Sequence, residues 1–219
     1  MKKKVTIAII DYGLGNLYSL GKALQLFADK VFITDNPKII SSSDGVIFPG
    51  VGAFAAGMRG IEEKKLAEPI RRFAESGKPM LGICLGAQLM LSKGFEFGEH
   101  SGLGLIPGKV EIFSKAVAKK EKIPNIGWLE IYPPKKKDWE ETIMDGILAK
   151  SEVYFVHSYI MVPDKVENIL SEAEYGGLPF CSVIKKGNIY GTQFHPEKSG
   201  EVGLKIIENF VSIAEKLKI

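Results

Sequence analysis

Pro79-Met80-Leu81-Gly82-Ile83-Cys84-Leu85-Gly86-Ala87-Gln88 carries a short apolar strand through a glycine-flanked cysteine into residues of helical composition. The expected layout is a buried strand over Pro79 to Ile83 and a helix over Leu85 to Leu91. Gly82-Ile83-Cys84-Leu85-Gly86 then has the form of a nucleophile elbow with cysteine in place of serine. Glycines two residues on either side let the chain turn sharply, so the cysteine stands out where strand becomes helix. A helix N-terminus there favours thiolate over thiol. The amide of Leu85, the next residue, is a natural oxyanion donor. With 24 glycines in 219 residues and two cysteines, composition alone produces such a flanked cysteine about 0.02 times per chain. A buried thiol with packing glycines is the competing reading; the position between strand and helix favours the nucleophile.

The flanking sequence repeats this strand-to-helix alternation. Val5 to Ile10 is an apolar run suited to a strand covered on both faces. Asp11 to Asn16 forms a turn, and Asn16 caps a helix carrying Leu17, Leu20, Leu24 and Phe27. Val31 to Thr34 and Val46 to Phe48 read as strands. Helical segments fill Ala53 to Ser76, with Pro69 placed to open a new helix at its first position. In the second half, strands are expected over Lys109 to Phe113, Trp128 to Tyr132, Val153 to Val162, Ile169 to Ala173, Phe180 to Ile184 and Ile189 to Phe194. Lys185-Lys186-Gly187-Asn188 supplies a hairpin turn, and a helix closes the chain from about Gly200. Without repeats or low-complexity linkers, residues 1–219 read as a single α/β domain. Its central mixed sheet is mostly parallel, flanked by helices, with antiparallel strands in the second half.

A thiol nucleophile needs a base, and the base an orienting group. Among three histidines, His195 lies in His195-Pro196-Glu197, directly after a strand. Proline biases His195 to an extended conformation, in which residues two apart share a side and Glu197 reaches the imidazole. His157 is the rival base, but no carboxylate is near it in sequence, so it reads as loop structure or substrate contact. His100 falls in a glycine-rich loop with no expected chemistry, and Cys181 in an apolar strand reads as core. Gly13-Leu14-Gly15-Asn16-Leu17-Tyr18 imitates a dinucleotide fingerprint but lacks the third glycine. Pro49-Gly50-Val51-Gly52 either brings backbone amides to a reacting carbonyl or is an ordinary turn, and both readings stand.

Composition removes other classes. At 219 residues the chain buries about 70% of its unfolded surface, so no disulfide or structural metal is needed. Two cysteines suit a reducing, cytoplasmic setting. No apolar run approaches a membrane span, and Met1-Lys2-Lys3-Lys4 before Val5 to Ile10 lacks a cleavage site, so a first strand replaces a signal peptide. The net charge is +3, and the basic runs Lys2 to Lys4, Lys119-Lys120 and Lys135 to Lys137 are scattered; nucleic-acid binding is not expected. Histidines lack metal-ligand spacing and there is no Cys-x-x-Cys, so neither metal nor cofactor is expected.

Pro49 to Phe54, Gly82 to Gln88 and Gln193-Phe194-His195-Pro196-Glu197 together resemble, in order, the hallmarks of the class I glutamine amidotransferases. More narrowly the chain is similar to the glutaminase subunits of imidazole glycerol phosphate synthase. That likeness rests on Asp11 to Asn16, Gly102 to Gly108, Tyr154 to Tyr159 and Lys198-Ser199. The resemblance implies a Cys84–His195–Glu197 triad hydrolysing L-glutamine, with backbone amides of Val51 and Leu85 as oxyanion hole. It implies glutamine seating by Gly52, Gln88, His157, Ser158 and Tyr159. It also implies a separate (β/α)8-barrel cyclase subunit as partner, met by Lys198 and by the Pro124 to Leu129 stretch with Asn125 and Trp128. The chain departs from the pattern at Asn125, Leu129 and Ala87, where those subunits usually carry histidine, asparagine and methionine. Paralogues that feed amidation of surface sugars share the motifs. A peptidase or γ-glutamyl hydrolase of the same fold and an inactive binding module are the remaining readings, and the intact triad speaks against the latter.

Overall fold

The computed structural model describes residues 4–114, 117, 119–135 and 138–218. Lys2, Lys3, Lys136 and Lys137 of the basic runs lie outside them. The first half runs β1 Thr6–Ile10, α1 Leu17–Leu24, β2 Lys30–Thr34, α2 Pro37–Ser42, β3 Gly45–Gly50, α3 Phe54–Glu63, α4 Ala67–Glu75, β4 Met80–Cys84 and α5 Leu85–Leu89. β5 Leu91–Gly94, β6 His100–Ser101, β7 Ile106–Ile112, β8 Asn125–Tyr132, β9 Ser151–His157 and β10 Tyr159–Pro163 follow. β11 Ile169–Tyr175, β12 Leu178–Lys186, β13 Ile189–Thr192 and the closing helix α6 Gly200–Leu217 complete the chain.

Among the described residues the strands form one sheet in the order β2-β1-β3-β4-β13-β12-β10-β7-β5-β6, with β11, β8 and β9 branching from β12. β2, β1, β3, β4 and β13 are mutually parallel; β12 turns antiparallel on β13, and antiparallel pairing dominates beyond. The expected mixed α/β architecture is therefore the observed one. β1 explains its layering: Ile7 and Ile9 enter one core with Leu20, Leu24, Ile206 and Phe210, while Ala8 and Ile10 enter another with Ile40, Ile61, Ile70 and Phe73. Alternating side chains of one apolar strand thus bury both sheet faces under helices. No helix among the described residues is long and apolar enough to cross a membrane.

Several elements differ from the sequence expectation. The helix after Cys84 stops at Leu89, because amides of the following loop take its carbonyls: Leu103 N–H donates to Leu89, and Leu105 N–H to Met90. Residues from Leu91 are thereby released to pair with Ile106 as β5. α4 begins at Ala67, so Pro69 is its third residue, still in the first turn where no intrahelical N–H is lost. α2 was not expected, although Asn36 caps it through Lys38 N–H and Pro37 opens it. The single strand expected over Val153 to Val162 is two, β9 and β10, separated at Ser158. β9 leaves with β8 while β10 joins β7 and β12, which the alternation of apolar residues alone does not reveal.

Candidate active site

Parallel register brings three strand ends together. Gly50 of β3 lies beside Cys84 of β4, and Thr192 of β13 beside Ile83. Cys84 has φ 52°, a left-handed value rare outside glycine, and stands at the N-terminal end of α5. Such a conformation costs about 1–3 kcal/mol and persists only where the surroundings impose it. Here packing imposes it. A Cβ on Gly86 would fall on the Phe48 carbonyl, and one on Gly82 would lie 2.7 Å from the Ala87 backbone. The two glycines flanking the cysteine therefore serve close approach between β3, β4 and α5.

His195 follows β13 and is held by main chain. Its N–H donates to the Tyr154 carbonyl at 3.0 Å, and Ser199 Oγ donates to its carbonyl at 2.7 Å. Glu197 reaches the imidazole at 2.8 Å, Oε1 to Nδ1. It does so from a 3₁₀ turn over Pro196–Lys198 rather than from the extended segment expected, because Lys198 and Ser199 amides fold back onto His195 and Pro196. Both side chains are almost wholly buried, and Nε2 of His195 has no hydrogen-bond partner among the described residues. Burial alone would depress the His195 pKa, but the Cys84 thiol and the Glu197 carboxylate outweigh it and push it up to about 9. The raised pKa favours the imidazolium, a proton donor on the cavity wall it shares with Cys84.

Cys84, Leu85, Gln88, His157, Ser158, Tyr159, Val51, Gly52 and His195 line one cavity of about 300 Å³. Every residue the resemblance assigned to catalysis, oxyanion or substrate lines that cavity except Glu197, which stands behind His195. Of the three partner-facing residues, Lys198 is exposed and Trp128 half exposed. Asn125 is a correction: it is 1% exposed and turned inward, its Nδ2 3.1 Å from His157 Nε2. His157 Nδ1 donates to the Tyr159 carbonyl at 2.9 Å, which makes Nε2 the acceptor from Asn125. Both ring nitrogens are therefore committed, and burial lowers the His157 pKa to about 4, so the rival base is a neutral strut. Cys181 is buried, as expected, and His100 lies in β6 rather than in a free loop.

Three lining or adjacent groups escaped sequence reading. Glu96, in the turn between β5 and β6, lines the cavity and accepts the Phe54 N–H at 2.6 Å. Gln193 Nε2 lies 3.7 Å from Cys84 Sγ. The Tyr12 hydroxyl is buried without a partner where a Gly50 Cβ would be, its pKa raised by burial and then by the proximity of Cys84. Gln193 sits inside the quoted His195 motif, and that was its only sequence signal.

The two histidines give stability opposite pH dependences. His157, lowered to about 4 from 6.5, contributes fully above pH 6.5 and loses that contribution as pH falls through 4. His195, raised to about 9, contributes fully below pH 6.5 and loses it as pH rises through 9. Urea unfolding followed from pH 4 to 9 should therefore peak near pH 6.5 and decline by about 1–3 kcal/mol on each side. In His157→Gln the acid-side decline should be largely gone.

The chain matches the glutamine amidotransferase class-I family over residues 8–214. It is 49% identical over 211 residues to an imidazole glycerol phosphate synthase subunit HisH 1 of Legionella pneumophila (strain Lens), covering 95% of this chain and 99% of that one. It is 44% identical over 210 residues to the HisH subunit of Aquifex aeolicus (strain VF5), covering 95% and 97%. Among solved structures, PurLQS from Thermotoga maritima aligns over 96% of this chain and 99% of that chain with a TM-score of 0.71 at 19% identity, a likeness of fold. By sequence match along nearly its whole length, this chain belongs to the class I glutamine amidotransferases, among the HisH glutaminase subunits of imidazole glycerol phosphate synthase.

Proposed function

We propose that this chain hydrolyses glutamine at Cys84 and passes the ammonia to a cyclase subunit in histidine biosynthesis. The observation that carries the reading is one cavity holding a left-handed cysteine and the imidazole of a 2.8 Å histidine–glutamate pair. Glutamine enters between Gly52, Gln88 and the His157–Tyr159 segment, with the Glu96 carboxylate available to its α-ammonium. The Cys84 thiolate attacks the side-chain amide carbon, and the oxyanion is held by the Leu85 and Val51 amides, each such donor supplying about 10²–10³ in rate. His195 gives its proton to the leaving nitrogen as the C–N bond breaks, releasing ammonia and leaving a glutamyl thioester. The neutral imidazole then takes a proton from water, whose oxygen adds to the thioester; collapse expels the thiolate and frees glutamate. Acid–base help of this kind is worth about 10²–10⁴.

Ammonia loose in neutral water becomes ammonium, which is no nucleophile, so the product calls for a docked acceptor. The relatives are subunits of imidazole glycerol phosphate synthase. On that likeness the partner is a (β/α)8-barrel cyclase converting a phosphoribosyl nucleotide to imidazole glycerol phosphate and AICAR in the cytoplasm. Exposed Lys198 and half-exposed Trp128 and Ile126 belong to the docking face. Glutamate release should rise at least about 10-fold when a histidine-pathway cyclase and its nucleotide substrate are added. Unstimulated, Cys84-dependent hydrolysis would point instead to the sugar-amidating paralogue.

A further inference from the structure

Gln193 is fully buried, yet its side chain is polar at both ends. Its backbone is fixed by the N–H donated to the Ser182 carbonyl at 2.8 Å. Each hydrogen bond of its side chain, and the next one along, has a direction that chemistry dictates. The Tyr159 carbonyl can only accept, so the Gln88 atom 3.1 Å away must be its Nε2 amide. That same Nε2 lies 3.1 Å from the Gln193 side chain, which must answer with its carbonyl Oε1. The other end of Gln193, 3.7 Å from Cys84 Sγ, is then necessarily the N–H₂ group. The Tyr159 carbonyl, acting through Gln88, thus forbids the amide flip that would turn an oxygen, and its repulsion, towards the sulfur.

We propose that Gln193 is a catalytic residue of this glutaminase, its side-chain N–H donated to the Cys84 sulfur, and that Gln88 is the positioning residue that holds it in that sense. The assignment rests on the reading of Cys84 as nucleophile and adds to it a side-chain donor independent of the histidine. The thiol in turn donates to the Val156 carbonyl, 3.9 Å away, a partner for the thiol and not for the thiolate. Ionisation therefore loses Val156 and keeps Gln193. Because Gln88 also lines the cavity, its carbonyl Oε1 is left for the substrate, and glutamine seated there bears on the group that holds the sulfur.

The test is the rate at which iodoacetamide alkylates Cys84 in the full chain at pH 7, with the site of labelling read by peptide mass. Gln193→Met keeps the volume and removes the donor, and should alkylate about tenfold more slowly, the effect of one hydrogen bond to a charged acceptor. Gln193→Glu places a carboxylate at the sulfur and should be slower still. The Gln88 side chain bonds Tyr159 and Gln193 rather than the sulfur, yet Gln88→Met should slow alkylation about threefold by releasing Gln193; it decides the matter if the buried Gln193 variants do not fold. In steady-state glutamine hydrolysis, the Gln193→Met deficit should fall on kcat with KM little changed. Wild-type alkylation rates in Gln193→Met, or in Gln88→Met, overturn the relay. Cys84→Ala retaining glutaminase activity would instead overturn the underlying nucleophile assignment, so the two failures are distinguishable.

Discussion

Cys84→Ala should lower glutamate release from glutamine by about 10⁴–10⁶-fold, the usual consequence of removing a nucleophile, the role proposed for Cys84, from a triad that acts as a unit. The loss should lie in kcat. Gln88, Glu96 and the Gly52 loop do not depend on the thiol, so glutamine should still bind, within about threefold of wild type by calorimetry. The assembled complex supplied with free ammonia should still form the cyclase product. The variant is expected to fold, because the strained backbone at residue 84 is set by the glycines around it and not by the sulfur. Glutaminase activity within tenfold of wild type would remove Cys84 from the reaction.

Glu197→Ala and Glu197→Gln should differ, and the difference follows from an oxygen. Removing the carboxylate outright frees the His195 ring and should cost about 10³–10⁴ in kcat. Replacing it by an amide need not misorient the imidazole. Glu197 Oε2 has no hydrogen-bond partner among the described residues, so nothing there dictates which end of a glutamine faces Nδ1. The amide oxygen is free to take the Nδ1–H and preserve the tautomer, which leaves only the lost charge. Glu197→Gln should accordingly cost about 10²-fold. In both variants NMR titration should find the His195 pKa below its raised value of about 9, since a carboxylate that held the imidazolium is gone. A Glu197→Gln loss as deep as that of Glu197→Ala contradicts this account.

The parts of the fold that sequence displays are those whose cause is local. β1, β3 and β4 are apolar on every side because both faces are covered, and that composition is visible without coordinates. The elbow is legible because close packing of Phe48, Ala87 and Met90 leaves no room for side chains at Gly82 and Gly86. Glu197 is found from His195 because only two positions separate them. What stayed hidden is set by partners distant in the chain. α5 is cut short by amides of residues 103 and 105, β9 and β10 part because different strands claim them, and Asn125 turns inward to meet His157. Gln193 became visible only when β13 was laid beside β4, since glutamine carries no spacing that announces a role.

β9 pairs with β8 along one edge, and on its other side the Tyr154 carbonyl receives the His195 N–H while the Val156 carbonyl receives the Cys84 thiol. Carbonyls two residues apart on a strand point the same way, so one stretch of main chain works as a ruler that spaces a histidine and a cysteine 111 positions apart. A ruler made of backbone does not care which side chains it carries. The length of β9 is what matters to this spacing: inserting or deleting one residue there would turn the wrong carbonyl to each. The separation of His195 and Cys84, the proposed base and nucleophile, is thus stored as a count of residues, a form of information that a list of functional side chains does not contain.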